Sequence, residues 1–200
     1  MQVAHKSVLS RVYGGRGGQI LIPQQFADLG SPKAIERALA RMVEEGILRR
    51  IARGIYYFPK KHPELGTLSP DPDKVAKAIA GKFASRLQPT GAYAANLLGL
   101  STQVPAKIVY LTDGRAKTVR IGKQQIQLRH TTPKNMAMAG RVSGLVIQAF
   151  RYLGKDHIDQ HMIAHLRKVI KGEDKKQLLK DARYAPAWVA DHLRAIARDS

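Results

Sequence analysis

The sequence predicts an α+β protein, and three observations support this fold class. Short helix and strand patterns alternate in the first sixty residues, strand patterns separated by turn dipeptides fill about 107–130, and apolar residues recur at helical spacing through 141–198. The last two patterns predict a mixed domain with a small antiparallel sheet, formed as a three-stranded meander, and a C-terminal helical bundle.

A Pro-rich stretch divides the chain. The segment 59–72 holds four prolines and no periodic apolar pattern, which is typical of a linker. We therefore expect two domains, 1–61 and 64–200, each with its own apolar core.

The N-terminal domain is predicted to begin with a short helix, a strand and a second short helix. Residues 5–13 have apolar side chains at helical spacing, and 19–22 is a brief apolar run typical of a strand. Pro23 suits the first turn of the second helix, and Gly30 is expected to end it.

The third predicted helix has clear signals at both ends. Ser31 is a good N-cap, Pro32 suits the first helical position because its missing N–H needs no partner there, and Gly46 ends the helix. One face is expected to be buried because it is apolar. Its residues are Ile35, Ala38, Leu39, Met42 and Val43. The opposite face presents three cations, which are Lys33, Arg37 and Arg41.

A basic β-hairpin is predicted after this helix. Two apolar, β-branched runs within 47–58 meet at Arg53-Gly54. Helix, strand, helix, helix and hairpin follow one another in the order of a winged helix-turn-helix, whose recognition helix enters the DNA major groove while the wing contacts the adjacent backbone. The candidate DNA-binding residues are Ser31, Lys33, Arg37, Arg41, Arg49, Arg50 and Arg53.

The middle of the chain predicts two helices and then the meander. Residues 73–87 and 92–100 have helical spacing. The strand runs that follow are separated by Asp113-Gly114 and Gly122-Lys123, dipeptides that favour tight turns.

The charge balance predicts a polyanionic partner. The chain has 34 Lys and Arg against 15 Asp and Glu, a net charge of +19, and basic residues occur throughout it. Zero cysteines exclude disulfides, thiolate nucleophiles and Cys-ligated zinc. No apolar stretch reaches membrane-spanning length and no signal peptide is evident, so we expect a cytoplasmic, nucleoid-associated protein with no membrane partner.

The sequence does not predict an enzyme, a cofactor or a metal site. His157, His161 and His165 are four residues apart, but no HExxH motif accompanies them, so we interpret them as a solvated or core-edge stripe on one helix face. The glycine-rich run 14–18 precedes a strand, whereas a phosphate-binding loop follows one. We predict no catalytic residues.

Several segments, in this order, resemble a known family, the AbiEi-type antitoxins of type IV toxin–antitoxin operons. The N-terminal ones are Phe26-Ala-Asp-Leu-Gly-Ser31, Ala38-Leu-Ala-Arg-Met-Val43, Gly46-Ile-Leu-Arg-Arg50 and Arg53-Gly-Ile-Tyr56. The later ones are Leu97-Leu-Gly-Leu-Ser-Thr-Gln-Val-Pro105, Tyr110-Leu-Thr-Asp-Gly114 and Asp181-Ala-Arg-Tyr-Ala-Pro-Ala-Trp188.

The resemblance implies an antitoxin with two tasks. It would repress its own operon by binding promoter DNA at inverted repeats, and it would counteract an AbiEii-like nucleotidyltransferase toxin without forming a stable complex. Three alternatives stay open from the residues. The first domain could be a protein-interaction module, the chain could be a basic RNA-binding protein, or it could be an enzyme that inactivates the toxin by covalent modification.

Overall fold

The computed structural model describes residues 2–198 and is an α+β protein. The described residues form two compact units, one of 2–83 with 119–123 and the other of 84–118 with 124–198. No helix within 2–198 is long and apolar enough to cross a membrane.

The first unit begins with the predicted order of elements. They are α1 (Gln2–Gly14), β1 (Gln19–Leu21), a 3₁₀ helix (Pro23–Leu29), α2 (Pro32–Glu44), β2 (Arg49–Ala52) and β3 (Ile55–Phe58). The three strands form an antiparallel sheet in the order β1-β3-β2. The second helix differs from the expectation only in being a 3₁₀ helix, which packs against both α1 and α2.

The core of this unit is formed by α1, α2 and the sheet. Val8, Phe26 and Leu39 are among its fully buried side chains. The predicted apolar face of α2 is confirmed, since its first four members are buried and Val43 packs partly buried against the same core. Burial of this face fixes which side of α2 remains exposed to water.

Both ends of α2 form as predicted. The Ser31 hydroxyl accepts a hydrogen bond from the Ala34 amide at 3.4 Å. At the other end Gly46 adopts a left-handed φ of +74°, and the Ile47 amide donates to the Met42 carbonyl at 2.9 Å. These caps satisfy backbone groups that a helix end leaves without partners.

The segment 59–72, which was predicted to be a linker, contains a β-hairpin instead, so that interpretation was wrong. Strands β4 (Lys61–His62) and β5 (Gly66–Thr67) pair, and α3 (Pro72–Gly81) follows and packs against β1. Prolines favour linkers, tight turns and first helical positions alike, and two of these prolines serve the turn and the start of α3. The expected domain boundary at 61–64 lies inside this hairpin.

The larger sheet corrects the predicted meander. Its strands are β6 (Leu87–Thr90), β7 (Lys107–Thr112), β8 (Lys117–Ile121) and β9 (Gln124–His130). They lie in the order β6-β7-β9-β8, and β7 runs parallel to β9 with Ile108 opposite Ile126. The sheet is therefore mixed. The helix predicted over 73–87 ends earlier, since α3 stops at Gly81 and β6 already begins at Leu87.

Strand β7 is central in this sheet, between β6 and β9. Ile108, Tyr110 and Leu111 are all buried, and since neighbouring residues of a strand point to opposite faces, β7 is covered on both faces. Turn dipeptides locate the ends of strands, but they do not say which strands pair. The sequence pattern therefore predicts three of the four strands without their order.

The predicted C-terminal bundle is confirmed. Its helices are α5 (Val142–Leu153), α6 (Gln160–Val169), α7 (Glu173–Asp181) and α8 (Ala187–Ala197), and α4 (Gly91–Leu97) packs against α5. Phe150, Leu166 and Leu193 are fully buried where these helices meet. Apolar residues at helical spacing suffice to predict such elements because each helix buries one stripe.

Candidate nucleic-acid interface

The exposed face of α2 carries the predicted cations. Lys33, Arg37 and Arg41 are all exposed, while Ile35 and Leu39 between them are buried. Because the buried face anchors the helix, the three basic side chains project from a fixed backbone into solvent.

One of these cations has an intrahelical partner. Arg41 Nε lies 2.8 Å from Glu45 Oε1, an exposed pair one helical turn apart. Such a pair stabilises a helix by only about 0.3–0.5 kcal/mol, so it yields easily to a stronger anion. Glu45 thus lowers the positive potential at this end of α2 without blocking it.

Ser31 is placed differently from the cations. Its side chain is exposed, but the hydroxyl is already used as the N-cap of α2. Its first contribution is therefore to fix the helix start, where backbone N–H groups attract anions. A phosphate contact from Ser31 remains a prediction.

The hairpin β2–β3 presents the remaining predicted arginines. Arg49 and Arg50 are exposed on β2, and Arg53 is exposed at the tip. Ala52 pairs with Ile55, so the tip is a two-residue turn, and Gly54 takes a left-handed φ of +69° that favours glycine. The hairpin is thus short and tightly folded.

Helix α3 contacts the tip of this hairpin. The Lys82 ammonium, just beyond α3, donates to the Arg53 carbonyl at 3.4 Å. It lies so close to Gly54 that a Cβ there would be 2.7 Å from Lys82 Nζ. This contact stabilises the turn. It comes from Lys82, a residue that the sequence predicts to lie in the other domain, 64–200.

The pKa of Tyr56 depends on charged residues of both α2 and the hairpin. It is 5 % exposed and lies opposite Arg50 in the register of β2 and β3. Burial raises the pKa of its hydroxyl, while the charge of Arg50 acts to lower it and that of Glu36 to raise it. Arg50 on β2 and Glu36 on α2 therefore both act on one buried residue.

An ion pair that the sequence analysis missed holds the helix before α2. The Arg11 guanidinium donates to both carboxylate oxygens of Asp28, at 2.7 and 2.6 Å, and to the Gln25 carbonyl at 3.2 Å. The hydrogen bond from Arg11 lowers the pKa of Asp28. The sequence contained a signal for this pair, because Asp28 is the only acidic residue among the first 35.

The histidines of the second unit do not lie together as predicted. His161 and His165 are on α6, whereas His157 belongs to a separate 3₁₀ turn. His165 Nε2 lies 2.9 Å from the Leu98 carbonyl. Within the described residues no group of three or more histidine, aspartate or glutamate side chains is placed to hold a metal ion.

The first unit thus carries exposed cations on α2, on β2 and at the tip of the hairpin, a chemistry suited to phosphate groups. No curated protein matches the chain. A family profile matches residues 8–178, which is most of the sequence. The chain belongs to DUF6088, a family of unknown function.

Proposed function

We propose that this protein binds double-stranded DNA sequence-specifically through a winged helix-turn-helix in its first unit. In this proposal α2 is the recognition helix in the major groove and the β2–β3 hairpin is the wing on the adjacent backbone. The order of elements and the sheet order β1-β3-β2 support it, because the returning strand of the hairpin pairs with the strand that follows α1.

The observation that supports the proposal most strongly is that α2 has one buried face and, opposite it, one basic exposed face. Lys33, Arg37 and Arg41 are exposed on a helix whose other side lies in the core. Arginines can donate two hydrogen bonds to a guanine edge or contact phosphates, and a net charge of +19 adds attraction for any polyanion.

The biological role that we propose is that of an antitoxin. The protein would repress its own operon at inverted repeats and counteract an AbiEii-like nucleotidyltransferase toxin without a stable complex. The resemblance of its segments to AbiEi-type antitoxins supports this role. DNA binding would place the protein at the nucleoid.

The DNA-binding proposal is tested with the full chain and the DNA upstream of its own reading frame. We expect a discrete gel shift that survives excess unrelated duplex, and a footprint over an inverted repeat. A promoter–reporter fusion should fall in output when the protein is expressed. Equal affinity for the upstream DNA and a scrambled duplex would contradict the proposal.

The antitoxin role needs a separate experiment. We expect the neighbouring reading frame to encode a nucleotidyltransferase toxin. Co-expression of this chain with that toxin should restore growth, and the two proteins should not co-purify. The mass of the purified toxin should be unchanged by co-expression. A covalent adduct on the toxin would instead favour the enzyme alternative.

A further inference from the structure

A polar groove lies in the second unit, and none of its lining residues belongs to the proposed duplex interface. Two adjoining cavities of about 730 and 280 Å³ share Asn135, Gln148 and Arg151 as lining residues. The two cavities therefore lie side by side along these three side chains, and together we call them the Arg151 groove.

Four cations from four different elements line the Arg151 groove. They are Arg129 on β9, Lys134 in the 3₁₀ helix Pro133–Met136, Arg151 on α5 and Arg183 in the 3₁₀ helix Ala182–Tyr184. All four are exposed, and none forms a salt bridge within residues 4–198. No aspartate or glutamate is among the described residues that line it.

The absence of acidic side chains distinguishes this groove from three other basic positions of the same unit. Arg86 pairs with Asp113, Lys176 with Glu173, and Arg194 with Asp191. Convergent cations without internal counter-charges favour an external anion, because binding it releases the counterions that otherwise neutralise them.

An exposed tyrosine lines each part of the groove. Tyr152 lines the smaller cavity and is 55 % exposed, and Tyr184 lines the larger one and is 49 % exposed. The Arg183 guanidinium lies 4.8 Å from the centre of the Tyr184 ring. Aromatic rings beside stacked arginines are the surfaces on which unpaired bases stack.

The amides of the groove are held in place by neighbouring hydroxyls. The Thr90 hydroxyl donates to Gln148 Oε1 at 2.8 Å, which leaves the NH₂ group of Gln148 to donate to a ligand. The Asn135 NH₂ group donates to the Thr131 hydroxyl at 2.9 Å, which leaves the Asn135 oxygen as an acceptor. Fixed donors and acceptors suit the edges of nucleobases.

We propose that the Arg151 groove binds a single-stranded segment of nucleic acid. The arginines and Lys134 would hold consecutive phosphates, and Tyr152 and Tyr184 would each stack one base. A duplex fits this site poorly, because its bases are already stacked on one another and cannot reach the tyrosines. The inference goes beyond the proposed function, which assigns duplex DNA to the first unit.

The test uses the full chain and fluorescence anisotropy with a labelled uridine 12-mer and a labelled thymidine 12-mer. Arg151→Ala should weaken binding about tenfold and reduce the salt slope by about 0.7, the value for one phosphate contact on a single strand. Tyr184→Leu should weaken binding about tenfold because one base loses its stacking partner, and Tyr184→Phe should retain wild-type affinity. A preference for either 12-mer identifies the natural strand as RNA or DNA.

Two controls separate this inference from general basicity and from the proposed function. Arg115→Ala removes another exposed charge of the same unit that does not line the groove, and it should leave oligonucleotide affinity unchanged. Arg37→Ala should weaken promoter duplex binding only. Equal losses in Arg115→Ala and Arg151→Ala, unchanged binding in Tyr184→Leu, or displacement of the 12-mer by an equal concentration of a mononucleotide would overturn the proposal.

Discussion

The Arg141 guanidinium lies 2.9 Å from Asp181 Oδ1 and thereby joins the start of α5 to the end of α7. Asp181 is 1 % exposed, and its second oxygen accepts a hydrogen bond from the fully buried Ser143 hydroxyl. One buried carboxylate is thus satisfied from both sides by the first turn of α5. The two helices share a polar connection inside an otherwise apolar bundle.

Removal of this carboxylate should destabilise the second unit strongly. Asp181→Ala leaves the buried Ser143 hydroxyl without its acceptor and removes the carboxylate that pairs with the half-exposed Arg141, at a cost of about 2 kcal/mol in the free energy of unfolding. Urea unfolding followed by circular dichroism measures it. The matched control is Asp191→Ala, which breaks an exposed pair with Arg194 and should cost less than about 1 kcal/mol. Similar losses in both variants would contradict the assigned role of Asp181.

Variants of α2 test the recognition helix. Arg37→Ala and Arg41→Ala should each weaken promoter binding by about 1–3 kcal/mol, the contribution of a bidentate base contact. Glu45→Gln should strengthen binding, since it frees Arg41 from its partner at 2.8 Å. Titration of the promoter fragment at physiological salt measures all three variants. Lys77→Ala, an exposed charge on α3, is the control and should bind like the wild type.

The hairpin arginines should behave differently from those of α2. Arg49, Arg50 and Arg53 are expected to contact phosphates, so replacing any one by alanine should lower the slope of log K against log salt by about 0.9 while sequence preference is kept. Affinities for the specific and the scrambled duplex across a salt series decide this. A loss confined to the specific site would assign the replaced arginine to base contact instead.

Local signals explain how far the sequence could predict this structure. Helix α2 was predictable from end to end, because Ser31, Pro32 and Gly46 act on adjacent backbone groups and its apolar stripe has a regular period. The order of the strands in the larger sheet was not predictable, because β7 pairs with strands that are distant in sequence. The prediction of a linker over 59–72 was wrong for a related reason, since proline composition does not distinguish a linker from a hairpin.

The candidate sites divide in the same way. The cations of α2 and of the hairpin lie within 21 residues, from Lys33 to Arg53, so periodicity places them on one unit. The Arg11–Asp28 pair and the Arg151 groove join residues far apart in the chain, and no spacing rule connects Arg129 with Arg183. Only tertiary structure brings such residues together.

Truncation should be sensitive to the segment after β3. The Tyr57 hydroxyl is buried, donates to the Leu68 carbonyl at 3.0 Å and accepts from the Lys60 amide at 3.3 Å. A fragment ending at residue 61 loses Leu68 and all of α3, whereas a fragment ending at residue 83 retains both. Thermal unfolding should therefore give a clearly higher Tm for the longer fragment, and equal Tm values would contradict this role of 62–83.

Tyr57→Phe isolates the hydrogen bond from the rest of that truncation. In the full chain the variant leaves the carbonyl of the half-buried Leu68 without this donor, and we expect a loss of about 1 kcal/mol in the free energy of unfolding. Tyr13→Phe, at an exposed tyrosine, is the control and should be neutral.

Acid should weaken one contact of the second unit in a defined direction. The side-chain hydrogen bond from Arg86, at 2.8 Å, lowers the pKa of Asp113, and the Arg86 amide donates to the same carboxylate. A carboxyl group whose pKa is lower in the folded state stabilises it above the unfolded value of about 3.9 and loses that effect as pH falls through the folded value.

The stability difference between the wild type and Asp113→Asn should follow that rule. It should be constant from pH 7 to about 5 and shrink towards zero as the pH falls below about 4. Urea unfolding at a series of pH values measures it. A difference that grows in acid would contradict the assigned ion pair.

Strand β2 is one of the two edges of the first sheet, and Arg49 and Arg50 are exposed on it. An edge strand has backbone groups that another chain can pair with, and closely spaced like charges oppose such self-association. The arginines that we assign to DNA thus also act as gatekeepers against aggregation. The residues proposed to bind phosphate therefore also oppose pairing of β2 with the same strand of another molecule. Neutral β-branched replacements of Arg49 and Arg50 would lower both the affinity for DNA and the solubility of the protein.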